Sequence, residues 1–382
     1  MIMTLDYETL RLAWWLFLTV LLTGFAVLDG FDLGVAGQLF YVARTDTERR
    51  VAINSIAPVW EGNQIWFVLG GGAAFAAFPL LYATAFSGFY YAMFVVLLAL
   101  ILRPVGFDFR NKLTDPRWRR TWDIALTIAG VVPALVFGVG VGNLLLGAPF
   151  SFDPDMRLIN QISFFGLLTP FALLCGLVSL GMLLMHGAAY LRLKTEGRVA
   201  DRAGTVLTVT GLAVAALMVA GGLWIAWGID GYRIAAGGDP YGPSAPMAKT
   251  VVTATGAWLS NYQAQPWTLL APALAVLMPL AAVLLTRMRR DGLTFLATTL
   301  AVIAIIATAA VSLFPFLLPS SLEPSASLTI WDASSSRTTL KVMFFCTLFF
   351  LPIVGLYTSW VYRVLKGRIG EDYIKANSKS LY

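Results

Sequence analysis

Apolar residues in this chain come in runs far longer than a soluble helix or strand requires. A helix needs about 20 apolar residues to cross the hydrocarbon layer of a bilayer. Nine stretches meet that length: 12–37, 56–77, 79–102, 122–146, 162–191, 204–228, 267–286, 293–317 and 338–362. The polar segments between them are short, except 229–266 and 318–337, which are rich in Gly, Pro and Ser. This pattern predicts an all-α integral membrane protein of nine transmembrane helices, a single polytopic membrane domain over 1–382. The first run is too long for a signal-peptide core and lacks a basic segment before it, so it is expected to stay attached.

The polar segments differ in charge from one side to the other. Three Lys or Arg lie in 38–55, six in 103–121, four in 192–203, three in 287–292 and five after 362. The opposite side holds only six, Arg11 and Lys341 among them. Cytoplasmic loops carry the excess of basic residues, which predicts an outside N-terminus and a cytoplasmic C-terminus. An odd number of spans agrees.

Composition strengthens this reading and narrows the chemistry. The chain is 58% apolar and 13% charged, whereas soluble domains run near roughly 45–50% and 25%. With a mean hydropathy of +0.75, a water-soluble enzyme, a secreted disulfide scaffold and a disordered tail are excluded. The net charge of +6 follows from topology and does not point to nucleic acid. Two cysteines, Cys175 and Cys346, sit far apart in apolar runs, and His186 is the only histidine. One imidazole cannot build a bis-histidine haem or a copper site, so no metal is expected on this chain. Any metal used in electron transfer belongs to a partner. No phosphate loop, nucleotide fingerprint or hydrolase triad is present.

Ionisable residues at membrane depth are costly and usually functional or paired. Asp29 and Asp32, in LDGFDLG, share a helix face near the inner end of the first span. Glu61, in PVWEGNQIW, lies about one turn into the second. Arg103 closes the third, with Asp108 beyond it, and Asp123 opens the fourth. All fall at one depth on the cytoplasmic side, so packing of the first four helices would gather them into one polar cluster able to accept and pass protons. The rival reading is structural: Glu61 after Pro58 and Asp123 complement helix dipoles, and Arg103 snorkels to head groups. His186 is more readily an interfacial side chain than a proton relay. Gly70–Gly72 and Gly138, Gly140 and Gly142 allow close helix contact, and the twelve tryptophans mostly fit interfacial belts.

The segments GFAVLDGFDLGV (24–35), TERRVAINSIAPVWEGNQIWF (47–67), FSGFYYAM (86–93), LRPVGFDFR (102–110), WGIDGY (227–232), FPFLLPSSLEPSASLTIWDASSS (314–336) and KSLY (379–382) run end to end in one register. Together they closely resemble subunit II of the cytochrome bd-type quinol oxidases. The resemblance implies two four-helix bundles plus a peripheral helix, in a bacterial inner membrane. It implies a terminal oxidase that oxidises quinol, reduces dioxygen to water with cytoplasmic protons and so generates a proton motive force. Haem b and haem d would be ligated by the larger subunit I, the heterodimer partner. This chain would line part of the cytoplasmic proton route and hold a structural quinone, in contact with membrane lipid and quinol. Room is left for small single-helix subunits. By motif, proton-path roles carry over to Glu61, Asp32, Arg103 and Asp123, with Asp29 beside them. The family position at 61 can also be Asp, and Glu lengthens its reach. Two rival functions are a proton-coupled secondary transporter and a purely structural assembly subunit.

Overall fold

The computed structural model describes residues 5–377 and 381; Lys379, Ser380 and Tyr382 of the KSLY motif lie outside the described residues. Along the chain run α1 (Tyr7–Gly37), α2 (Leu39–Val42), α3 (Asp46–Ile56), α4 (Trp60–Ala77), α5 (Pro79–Gly88), α6 (Tyr90–Arg110), α7 (Pro116–Leu146) and α8 (Pro170–Lys194). They continue with α9 (Gly197–Gly228), α10 (Ser260–Ala264), α11 (Leu270–Arg287), α12 (Asp291–Leu313), α13 (Arg337–Val364) and α14 (Glu371–Ala376). Three short antiparallel ribbons close the loops at one end. They are β1 (Phe150–Phe152) with β2 (Leu158–Asn160), β3 (Asp230–Ala236) with β4 (Thr250–Thr255), and β5 (Phe316–Leu318) with β6 (Leu328–Thr329). The Lys- and Arg-rich loops gather at the opposite, basic end.

Local sequence starts the helices where side chains can satisfy their first N–H groups. Asp6 accepts from the Thr9 amide and Thr169 from that of Ala172, while Ser336 caps α13 through Thr339. Thr45 and Glu48 form a reciprocal capping box on α3. Burial alone would raise the Glu48 carboxyl, but the Arg202 guanidinium and the amides of Arg44 and Thr45 hold it below the usual range.

Among the described residues, eight helices are long and apolar enough to cross a membrane, and α4 with α5 meets the criterion only as a pair bent by 119°. The expected third span, 79–102, is therefore not one helix. Pro79 has no N–H to continue α4 and its ring crowds the preceding turn, so the chain turns at Phe78. A second break at Phe89 lets α6 start at Tyr90 and run on to Arg110. Arg103 consequently lies about two turns inside α6 and does not close it. The run 162–191 holds only a 3-10 turn at Phe165–Leu167 before its α-helix starts at Pro170, and 293–317 leaves its helix after Leu313 to enter β5.

Helices α1, α4, α6 and α7 pack as one group and α8, α9, α11 and α12 as another, joined where α8 meets α1 and α7. That junction depends on glycine. A Cβ on Gly34 would fall 2.0 Å from the Leu183 carbonyl oxygen, and one on Gly187 2.6 Å from the Gly34 backbone. The glycines expected to permit close contact divide. Gly138 and Gly142 meet the α8 backbone, whereas Gly71, Gly72 and Gly140 face open space. Helix α13 rests on α1 and α4 and buries only Leu340. At the ribbon end Trp258 and Trp14 are core residues and not belt residues. Their indoles donate to the carbonyls of Leu145 and Leu340.

Candidate functional site

The two acids of LDGFDLG lie on the buried side of α1 and are fully enclosed. Arg103 Nη2 sits 2.8 Å from Asp29 Oδ1 and donates to Oδ2 at 3.1 Å, an ion pair with no exposed side-chain surface. The Arg103 guanidinium also lies 5.4 Å from the centre of the Trp60 ring, a cation–π contact that partly replaces its lost hydration. Its Nε and Nη1 have no hydrogen-bond partner among the described residues.

Asp32 is held by a different chain of groups. Asn63 Nδ2 donates to Asp32 Oδ2 at 2.8 Å, and the Tyr362 hydroxyl donates to Asn63 Oδ1 at 2.8 Å. Because an amide oxygen only accepts, the Tyr362 bond sets the Asn63 side chain so that its NH₂ faces the carboxylate. Asp32 Oδ1 is buried with no partner among the described residues. Together with the free Arg103 nitrogens it forms a set of enclosed polar atoms of both signs, the kind of surface that ordered water satisfies.

The predicted single cluster does not form as such. Asp29, Asp32 and Arg103 come together, but Asp123 belongs to a separate network. Arg110 Nε lies 2.6 Å from Asp123 Oδ1 and Arg49 Nη1 3.1 Å from Oδ2. Arg110 and Arg119 also hold Asp46, at 2.8 and 2.6 Å. This network ties α3 to the end of α6 and the start of α7. Glu61 stands apart from both. It is exposed on the first turn of α4 and makes no hydrogen bond or ion pair among the described residues. It shares its face with Ile65 and Val68, both more than half exposed. Asp108 is also exposed.

His186 is buried between α1 and α12. Its Nε2 lies 2.9 Å from the Val27 carbonyl oxygen and its Nδ1 2.9 Å from Thr298 Oγ1, with Phe295 stacked on the ring. A carbonyl can only accept, so Nε2 carries a proton, and both ring nitrogens are engaged. The imidazole joins three helices and has no nitrogen to spare for an iron.

A family profile described as "Cytochrome bd terminal oxidase subunit II" matches residues 10–365. The chain is 47% identical to cytochrome bd-I ubiquinol oxidase subunit 2 of Escherichia coli K12, over 99% of this chain and 100% of that one. It belongs to the cytochrome bd terminal oxidase subunit II family. A more distant member, cytochrome bd ubiquinol oxidase subunit 2 of Bacillus subtilis, is 32% identical over 94% of this chain and 96% of its own length. The bd oxidase structure from Geobacillus thermodenitrificans shares the fold, with a TM-score of 0.62 at 16% identity over 93% of this chain and 98% of that chain.

In this subunit II chain, the residues that sequence reasoning missed are the neutral or loop-assigned ones. Asn63 and Tyr362 carry no charge and sit in apolar runs, so nothing in hydropathy marks them. Arg110 and Arg49 enter the sequence reading only as loop charges, and Asp46 does not enter it. The spacing of Arg103 and Arg110, seven residues and hence two helical turns, is the signal that places both on one buried face of α6.

Proposed function

We propose that this chain is the second, non-haem-ligating subunit of a bd-type quinol:dioxygen oxidoreductase in a bacterial inner membrane. In this reading its basic end faces the cytoplasm. It supports subunit I, which bears haem b and haem d, and supplies part of the route by which protons reach it. The observation that carries the route is the placing of Glu61. A carboxylate without a partner on an otherwise apolar helix face is expensive against lipid. That face is therefore the one covered by subunit I, and Glu61 is the group that passes a proton across. Asp32 stores and positions charge behind it through Asn63. Asp29 with Arg103, and Asp123 with Arg110 and Arg49, hold the helices in register around it. The haems supply the electron chemistry when bound; this chain's acids hold and move protons at their carboxylate oxygens.

A cavity of about 380 Å³ between the two helix groups, walled by Phe25, Phe67, Phe137 and Phe171, has the apolar lining that the isoprenoid tail of a structural quinone requires. The transporter alternative expects broken helices in matched halves. Only α4 with α5 forms a bent pair among the described residues, and the second helix group has none.

Glu61→Gln tests the route in the assembled complex. Quinol oxidase turnover is expected to fall on the order of 10²-fold, the scale of a lost proton-transfer group, with unchanged haem absorption, while Glu61→Asp retains most activity. Normal turnover of Glu61→Gln would leave this chain a purely structural subunit.

A further inference from the structure

A second cavity, of about 480 Å³, opens at the basic end beneath α13. Its walls are Leu28 and Phe31 of α1, Phe295 of α12 and the inner side of α13 at Tyr362. Three cations, Lys194, Lys366 and Arg368, line its mouth. The mouth is built, not frayed. Lys194 Nζ donates to the Leu365 carbonyl at 2.5 Å, and the Ile369 amide donates to the Lys194 carbonyl at 2.7 Å, which pins the turn after α13 to the end of α8.

The charges around that mouth do not cancel. Asp291 is shared between Arg368, at 3.0 Å, and Arg192, at 2.8 Å. Glu196 lies beside Gly370 and forms no ion pair among the described residues. Neither Lys194 nor Lys366 has a carboxylate partner among the described residues. The lining itself contains no acid. An apolar trough with an unneutralised cationic rim at the level of the head groups matches one chemistry, an acyl chain bearing an anionic phosphate. A zwitterionic head group brings its own cation and would leave the rim's net positive charge uncompensated, and a free anion would leave the trough unfilled.

We infer that the groove between α1, α8, α12 and α13 binds an anionic phospholipid, its phosphate on Lys194 and Lys366 and an acyl chain against Phe31 and Phe295. The lipid fills the gap under a helix that buries only Leu340 by its own contacts. It thereby holds α13, and Tyr362 with it, against α4. This site does not depend on the proton-path reading, because neither lysine belongs to that network.

The experiment uses the purified two-subunit complex, wild type and Lys194→Gln/Lys366→Gln, in nanodiscs of phosphatidylcholine with or without phosphatidylglycerol. Retained lipids are extracted and identified, and thermal unfolding is followed. Each lysine contributes about fivefold, so the double variant is expected to bind phosphatidylglycerol roughly 25-fold more weakly. It should also lose the stabilisation that phosphatidylglycerol gives the wild type, with unchanged haem absorption. Thr299 of α12 also lines the groove, so Thr299→Trp fills it, keeps both lysines and should lose the lipid too, and it carries the test alone if the double variant does not assemble. Equal retention by wild type and variants overturns the site. So does loss of quinone in place of phospholipid, or full stabilisation by inorganic phosphate without lipid.

Discussion

At the scale of single residues, enclosed charges carry the most consequence in this chain. Asp29 and Arg103 have no exposed side-chain surface, so each is tolerated only because the other is present. Removing one partner of such a pair leaves a bare buried charge and destabilises by about 3–5 kcal/mol, whereas replacing both by apolar groups is often near neutral. Asp29→Ala is therefore expected to lower the thermal unfolding temperature of the complex sharply, and Asp29→Ala/Arg103→Met to recover much of the loss. If the double variant is no more stable than the single one, the pair has a role beyond mutual neutralisation. The acids themselves were legible in the sequence as charges inside apolar runs. What each one meets was not, because Asn63, Tyr362 and Trp60 reach the site from α4 and α13, and spacing along α1 carries no information about those contacts.

At the scale of elements, glycine and proline decide how closely helices approach and where they stop. Gly34 and Gly187 let the α1 and α8 backbones touch. Gly34→Val would drive a side chain into the Leu183 carbonyl, which cannot rotate away as a flexible side chain could. Membranes expressing this variant are expected to contain little assembled, haem-bearing complex, while Gly71→Ala, with nothing within 4 Å, assembles normally. Comparable assembly of the two would mean that α1 and α8 can separate without loss. The sequence marked Gly70–Gly72 and the glycines of α7 as alike, yet only some of them face a neighbour. A glycine run records where a helix could be approached, and the packing of its faces records where it is. Phe89 shows the opposite limit: hydropathy joins 79–102 into one span although the helix breaks there between Gly88 and Tyr90, because broken and continuous segments have equal apolarity.

At the scale of the whole molecule, charge and packing define two ends and two helix groups. The basic end holds the ion-pair networks of Asp46, Asp123 and Asp291. The ribbon end is closed by buried Arg11, whose guanidinium donates to the carbonyls of Pro240 at 2.6 Å and Gly242 at 3.1 Å. Labelling of single cysteines, in a background with Cys175 and Cys346 changed to serine, tests the assignment of sides. Lys375→Cys should react with an impermeant thiol reagent only in inverted membranes, and Tyr241→Cys only in intact spheroplasts. The reverse pattern would turn the molecule over and move the acids away from the cytoplasm.

Hydropathy and basic-loop counts are one-dimensional sums, and a bilayer responds to such sums. Membrane residence, most of the long helices, the gathering of basic loops and the family motifs were therefore readable from residue order, whereas the three β-ribbons were not. Side-chain partnership is a relation between distant segments, and only packing settles it. The separation of Asp123 from Asp32, the exposure of Glu61 and the cationic groove under α13 all arise there, where helices that hydropathy makes equivalent acquire different neighbours.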